Sequence, residues 1–111
     1  MDLVNEIFNK SEELSQSIKL LRKNGEDLAE REKNYKIKLS QTALKLKDDG
    51  MPVTLINQVI YGMSEVADLR FKRDCADALY KANLEHIQVV KLQLRLMEAQ
   101  VNREYGYKGD I

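Results

Sequence analysis

The only histidine, His86, and the only cysteine, Cys75, are the residues from which metal or nucleophile chemistry would have to be built. A zinc-type site needs several converging ligands, and neither a second His nor a Cys is spaced to join His86. Cys75 as a nucleophile would need His86 as its base. On one helix the two stand about 16 Å of rise apart and form no dyad within a chain. Carboxylates are abundant (Glu12, Glu13, Glu26, Asp27, Asp48, Asp49, Asp74, Asp77). The Glu-x-x-His pair of a di-metal bundle is absent: Asn83-Leu84-Glu85-His86 has another order and no second copy. There is no glycine-rich phosphate loop and no serine elbow. The expectations are a non-enzyme with no cofactor and no metal, His86 on a helix surface, and Cys75 packed as a small apolar residue.

A cationic group is the other candidate. Lys33, Lys36 and Lys38 with Arg70 and Arg73 could contact nucleic-acid phosphates. Asp68, Asp74 and Asp77 are interleaved with them. The favoured reading is a solvated helix face, with nucleic-acid binding kept as an alternative. Residues 43–73 have a faint helix-turn-helix outline. The side chains that would read bases are Glu65 and Asp68, which repel phosphate.

These residues must be positioned by helices. The chain has 111 residues, 32% charged and 6% aromatic, with one Pro and no Trp. That mixture belongs to long helices and coiled coils. Lys plus Arg equals Asp plus Glu at 18 each, so global charge points to no polyanionic or polycationic partner. A lone Cys fits a reducing compartment. Residues 1–10 carry Asp2 and Glu6 without an apolar run, so no signal peptide is read. No apolar run spans a membrane. A cytoplasmic protein is expected.

In the first half, Val4, Ile7, Ser11, Leu14, Ile18, Leu21, Gly25, Leu28, Glu32, Tyr35, Leu39, Thr42 and Leu46 recur at spacings of three and four. This is a coiled-coil seam. It predicts a helix over about 2–49, capped by Asp2 and stopped by Gly50 and Pro52. Asn24-Gly25 is a turn signal, but the phase runs through it unslipped, which favours one helix. Thr54 is expected to cap a short helix over about 54–61 that Gly62 ends. Ser64 is expected to cap a helix over about 64–105 with the seam Val66, Leu69, Arg73, Ala76, Tyr80, Asn83, Ile87, Val90, Leu94, Met97, Val101 and Glu104. Residues 106–111 are read as a frayed tail.

Together these elements predict an all-α single domain: a long antiparallel coiled-coil helical hairpin with a short intervening helix. A second stripe (Phe71, Cys75, Ala78, Ala82, Val89, Leu92, Leu96) flanks the seam of the last helix. Leu20, Ile37 and Leu44 widen the first. One partner helix cannot cover both stripes, so association into a four-helix homodimer is expected. Glu32 and Asn83, with Tyr35 and Tyr80 near, are expected to form a polar cluster that sets register.

The segments Gly50-Met51-Pro52-Val53-Thr54-Leu55-Ile56, Val66-Ala67-Asp68-Leu69-Arg70-Phe71-Lys72-Arg73-Asp74 and Lys91-Leu92-Gln93-Leu94-Arg95 carry a resemblance. Over most of residues 26–105 the chain resembles small helical proteins encoded in the replication and recombination module of temperate phages of Gram-positive bacteria. The resemblance implies an accessory phage protein in the bacterial cytoplasm and carries over no functional residue. The function expected is a protein–protein interaction module, either a recombination or replication helper or an inhibitor of a host nuclease or defence complex. Its partners would be itself and a host or phage protein, and no membrane. The candidate surface is Met51, Val53, Leu55, Ile56, Val59, Ile60, Tyr61 and Met63, whose alternative reading is core at the hairpin end. A small virion or scaffolding protein is the remaining alternative.

Overall fold

The computed structural model describes residues 2–106, and among these the chain is all-helical. Helix α1 spans Leu3–Asp48, α2 spans Val53–Val59, a 3₁₀ turn covers Ile60–Gly62 and α3 spans Ser64–Val101. A π-helical turn over Asn102–Gly106 follows, so the α geometry ends four residues before the expected 105. The rest of the expected tail lies outside the described residues.

The start and stop signals act at three of the five expected helix ends. The Asp2 carboxylate accepts the Val4 amide at 3.0 Å, a side-chain N-cap. Gly50 ends α1 at φ +93°, where the Gly50 amide reaches the Lys47 carbonyl and the Met51 amide the Leu46 carbonyl, both at 3.0 Å. This crossed pair is a Schellman cap, and glycine takes its left-handed conformation without a Cβ penalty. Gly62 closes the 3₁₀ turn. The α2 cap differs from expectation. Pro52, extended at ψ 146°, is the N-cap, and its carbonyl takes the Ile56 amide. Proline's fixed φ begins the helix one residue before Thr54. Similarly, the Met63 carbonyl accepts the Ala67 amide, which makes Ser64 the first helical residue of α3 and not its cap.

The chain divides into two compact units, Met1–Lys23 with Lys81–Ile111, and Asn24–Tyr80. The second unit contains an apolar cluster of Tyr35, Ile56, Ile60 and Val66, with Leu39, Ala43, Leu46, Met51 and Leu69 packed against it. Its register follows from the pairs that meet. Glu32 reaches Arg73, Gly25 faces Tyr80, and Lys38 pairs with Glu65 near the start of α3. Glu65 therefore meets α1 ten residues before its end. The last turns of α1 are left for α2 and the 3₁₀ turn, which is how Ile56 and Ile60 come to pack beside Leu39, Ala43 and Leu46. The first unit buries Ile87 and Val90 of α3, and the Asn83 side-chain amide donates to the Ser17 carbonyl at 3.1 Å.

The α3 seam lies inward as expected, apart from exposed Glu104. The α1 seam needs correction. Ile7, Leu14, Leu21, Leu28, Tyr35 and Thr42 are inward or partly so, but the alternate positions shift by one residue in the N-terminal half. Ser17 is buried to 7% exposure while Ile18 is 49% exposed, and Val4 and Ser11 are exposed too. An α-helix drifts about 20° per heptad against a 3.5-residue repeat, so its contact face moves across the stripe. Toward the C-terminal end Gly25, Glu32, Leu39 and Leu46 do turn inward.

Candidate functional site

The eight-residue apolar candidate surface divides in two. Ile56 and Ile60, one turn apart, are core, and Met51 is partly buried against them. Val53, Leu55, Val59, Tyr61 and Met63 are exposed. The hairpin-end core reading therefore holds for Ile56, Ile60 and Met51, and the other five side chains face solvent. Leu55 and Val59, also one turn apart, share the side of α2 turned away from the core, because 100° per residue separates them from Ile56 and Ile60. The Arg70 guanidinium lies 5.6 Å from the centroid of the Tyr61 ring. Arg and aromatic residues are enriched at protein–protein contacts relative to the rest of a surface.

Within the same unit a hollow of about 590 Å³ is lined by Leu28, Glu32, Arg73, Asp77, Tyr80 and Gly25. Gly25 lies inside α1, where its role is one of packing and not of turning. A Cβ there would stand 3.2 Å from Tyr80 Cε1, so the missing side chain lets the ring lie against α1. Arg73 occupies a seam position and is held on every side. Its guanidinium is 4.6 Å from the Tyr35 ring centroid, 2.8 Å from the Asp74 carboxylate and 3.4 Å from Glu32. The Asp74 hydrogen bond, then the Asp74 and Glu32 charges, raise its pKa above the ordinary value. Arg73 is thereby a fixed cation that ties α1 to α3.

The five residues of the cationic candidate all carry partners. Lys33 pairs with Glu30 and Lys36 with Glu32, each at 3.4 Å. Lys38 pairs with Glu65, Arg70 stacks on Tyr61, and Arg73 is held as described. The expected Glu32–Asn83–tyrosine cluster is replaced by two arrangements: Glu32 takes Arg73 and Lys36 in the second unit, and Asn83 takes the Ser17 carbonyl in the first. The reason is register. A turn centred on residue 56 would place Glu32 opposite Tyr80, whereas the α1 overhang places it opposite Arg73.

His86 is surface-exposed, with Nε2 3.2 Å from a Glu13 carboxylate oxygen. Lys10 donates to the other Glu13 oxygen at 3.0 Å. The Lys10 hydrogen bond and charge, with a smaller contribution from His86, hold the Glu13 pKa below its ordinary value. Cys75 is exposed, against the expectation that it packs. The α3 face that meets α1 carries Leu69, Arg73, Ala76 and Tyr80, and Cys75 points away from it beside exposed Phe71. The whole second stripe, Phe71, Cys75, Ala78, Ala82, Val89, Leu92 and Leu96, is exposed, as are Leu20, Ile37 and Leu44. Among the described residues, no cluster of three or more His, Cys, Asp or Glu could hold a metal ion. No helix among them is long and apolar enough to cross a membrane.

Compared with family models, curated proteins and solved structures, the chain matches none.

Proposed function

We propose that the chain is a non-enzymatic protein–protein interaction module that docks a partner protein through Val53, Leu55, Val59, Tyr61 and Met63. The observation that carries this reading is the split of the 51–63 segment. Ile56 and Ile60 anchor it in the core, while five large apolar side chains in the same short stretch face solvent. Clustered exposed apolar groups on an anchored element mark contact sites. The phage resemblance supplies the setting, with a recombination or replication helper and an inhibitor of a host nuclease or defence complex as its two versions. The exposed α3 stripe supports the accompanying proposal that the chain forms a homodimer.

The test compares tagged wild type with Leu55→Glu/Val59→Glu in capture from nuclease-treated lysate of a prophage-carrying host. The expected result is a partner held by wild type and lost from the variant at unchanged far-ultraviolet circular dichroism. A partner retained by the variant would remove the docking site. Partners that vanish only on nuclease treatment would transfer the function to nucleic-acid binding.

A further inference from the structure

The second unit also has a shallow hollow of about 270 Å³ on the α3 side that faces away from the core. Its lining includes Asp27, Arg31, Phe71, Lys72, Cys75 and Leu79. Phe71 is 68% exposed and Leu79 is 54% exposed, so two bulky apolar side chains stand in water at its walls. We infer that this hollow joins two copies of the chain, their α3 helices antiparallel about a two-fold axis at Cys75, with each Phe71 seated against the other copy's Leu79. The inference rests on the homodimer proposed above and adds its face and register.

Three features select a second copy as the occupant. The first is spacing. Phe71, Cys75 and Leu79 follow one another at one helical turn, so a two-fold at Cys75 carries position 71 onto 79 and 79 onto 71. The second is volume: a small residue at the crossing lets the helices approach, and the bulky residues on either side fill the two ends. The third is charge. Since Gly25 faces Tyr80 and Glu32 meets Arg73, α1 places Asp27 at the Leu79 end of the hollow, while Lys72 stands at the Phe71 end. The same two-fold sets Asp27 of each copy against Lys72 of the other, twice over. Arg31 remains beside its own Asp27 at 3.4 Å. A rim of one sign would repel its own copy, whereas this rim of mixed sign attracts it.

From Phe71 to Leu79 the face is about 12 Å long. A face of two helical turns offers less than the roughly 800 Å² per partner of a standard interface, so the dimer is weak and dissociates on dilution. The experiment has two readouts on the full chain: mass by sedimentation over a dilution series, and cross-linking with a short bis-maleimide, which can join copies only through Cys75. The expected result is a mass that rises with concentration and a covalent dimer through Cys75. Phe71→Glu, exposed and so neutral to folding, weakens association by about ten-fold or more. Asp27→Lys or Lys72→Glu alone weakens it, and the two together restore it. A dimer that ignores Phe71→Glu and resists cross-linking would overturn this face while leaving self-association standing. A double exchange that fails to restore association would overturn the register. A monomer at every concentration would overturn the face and the homodimer together.

Discussion

The two compact units draw on the same pair of long helices and bury different chemistry. In the second, α2 and the 3₁₀ turn bring Ile56 and Ile60 to Tyr35 of α1 and Val66 of α3, and an apolar cluster of four elements results. In the first, α1 and α3 meet as two helices only. Ile87 and Val90 are covered, and beside them Asn83 bonds the Ser17 carbonyl. Two highly charged helices have room between them for one narrow seam, and a third element is what deepens it. The unit with the deeper core can hold Val53, Leu55, Val59, Tyr61 and Met63 outward, because Ile56 and Ile60 anchor the short helix that carries them.

The largest effect that sharpens this contrast is expected from Ile60→Ala. Truncating a core isoleucine costs about 2–5 kcal/mol, whereas Leu55→Ala on the outer side of the neighbouring α2 stays within about 0.5 kcal/mol. Urea unfolding of the two variants measures the difference, and equal costs would dissolve the inside–outside division of α2. Val90→Ala in the first unit, at a side chain with 0% exposure, is expected to cost about 2 kcal/mol. A cost as large as that of Ile60→Ala would erase the distinction between the two cores.

Asn83→Leu tests the polar layer. It replaces one hydrogen bond to a helix carbonyl with apolar burial and is expected to raise stability by about 1 kcal/mol while loosening register or oligomeric state. A lower melting temperature would mean that the Asn83–Ser17 bond is a net stabiliser. Gly25→Ala sets two effects of similar size against each other: about 1 kcal/mol of helix propensity gained, and the contact with Tyr80 strained. Wild-type background should show a change near zero, and a Tyr80→Ala background should reveal the full gain. Identical effects in both backgrounds would separate Gly25 from Tyr80.

The smallest effect is electrostatic and compares one carboxylate from each unit. Lys10 holds Glu13 and Lys38 holds Glu65 below the ordinary carboxylate value of 4.5. Each therefore contributes stability that is present above that value and lost as pH falls through its lowered folded-state pKa. Both groups are exposed, so the contributions are slight and screened by salt. Acid unfolding of Glu13→Gln and Glu65→Gln should show less loss below pH 4.5 than wild type. Unchanged acid profiles would assign these pairs no part in stability.

Much of the local architecture was legible in the residues themselves. Periodicity located both long helices, Asp2, Gly50 and Pro52 marked the ends of α1, and the α3 seam could be read residue by residue. That happened because α3's seam is mostly apolar and stays in phase. In the N-terminal half of α1 the seam mixes Ile7, Leu14 and Leu21 with polar positions, and apolar Ile18 drew the assignment away from Ser17, which is small enough to sit where Asn83 approaches. Periodicity reads hydrophobicity, and it does not register a backbone carbonyl as a partner. The division of residues 51–63 into core and exposed side chains was legible only as a segment, since core and surface residues alternate within α2.

By itself, then, the order of amino acids determined helix positions, the caps of α1 and the existence of a surplus apolar stripe, because these depend on φ preferences and on spacing within one helix. Only tertiary packing decided register. The α1 overhang that α2 covers put Glu32 on Arg73, turned Ile56 and Ile60 inward, left Leu55 and Val59 outside and exposed Cys75 beside Phe71. Register is set by how four elements share one core, and that balance of burial is not encoded in the periodicity of any one of them.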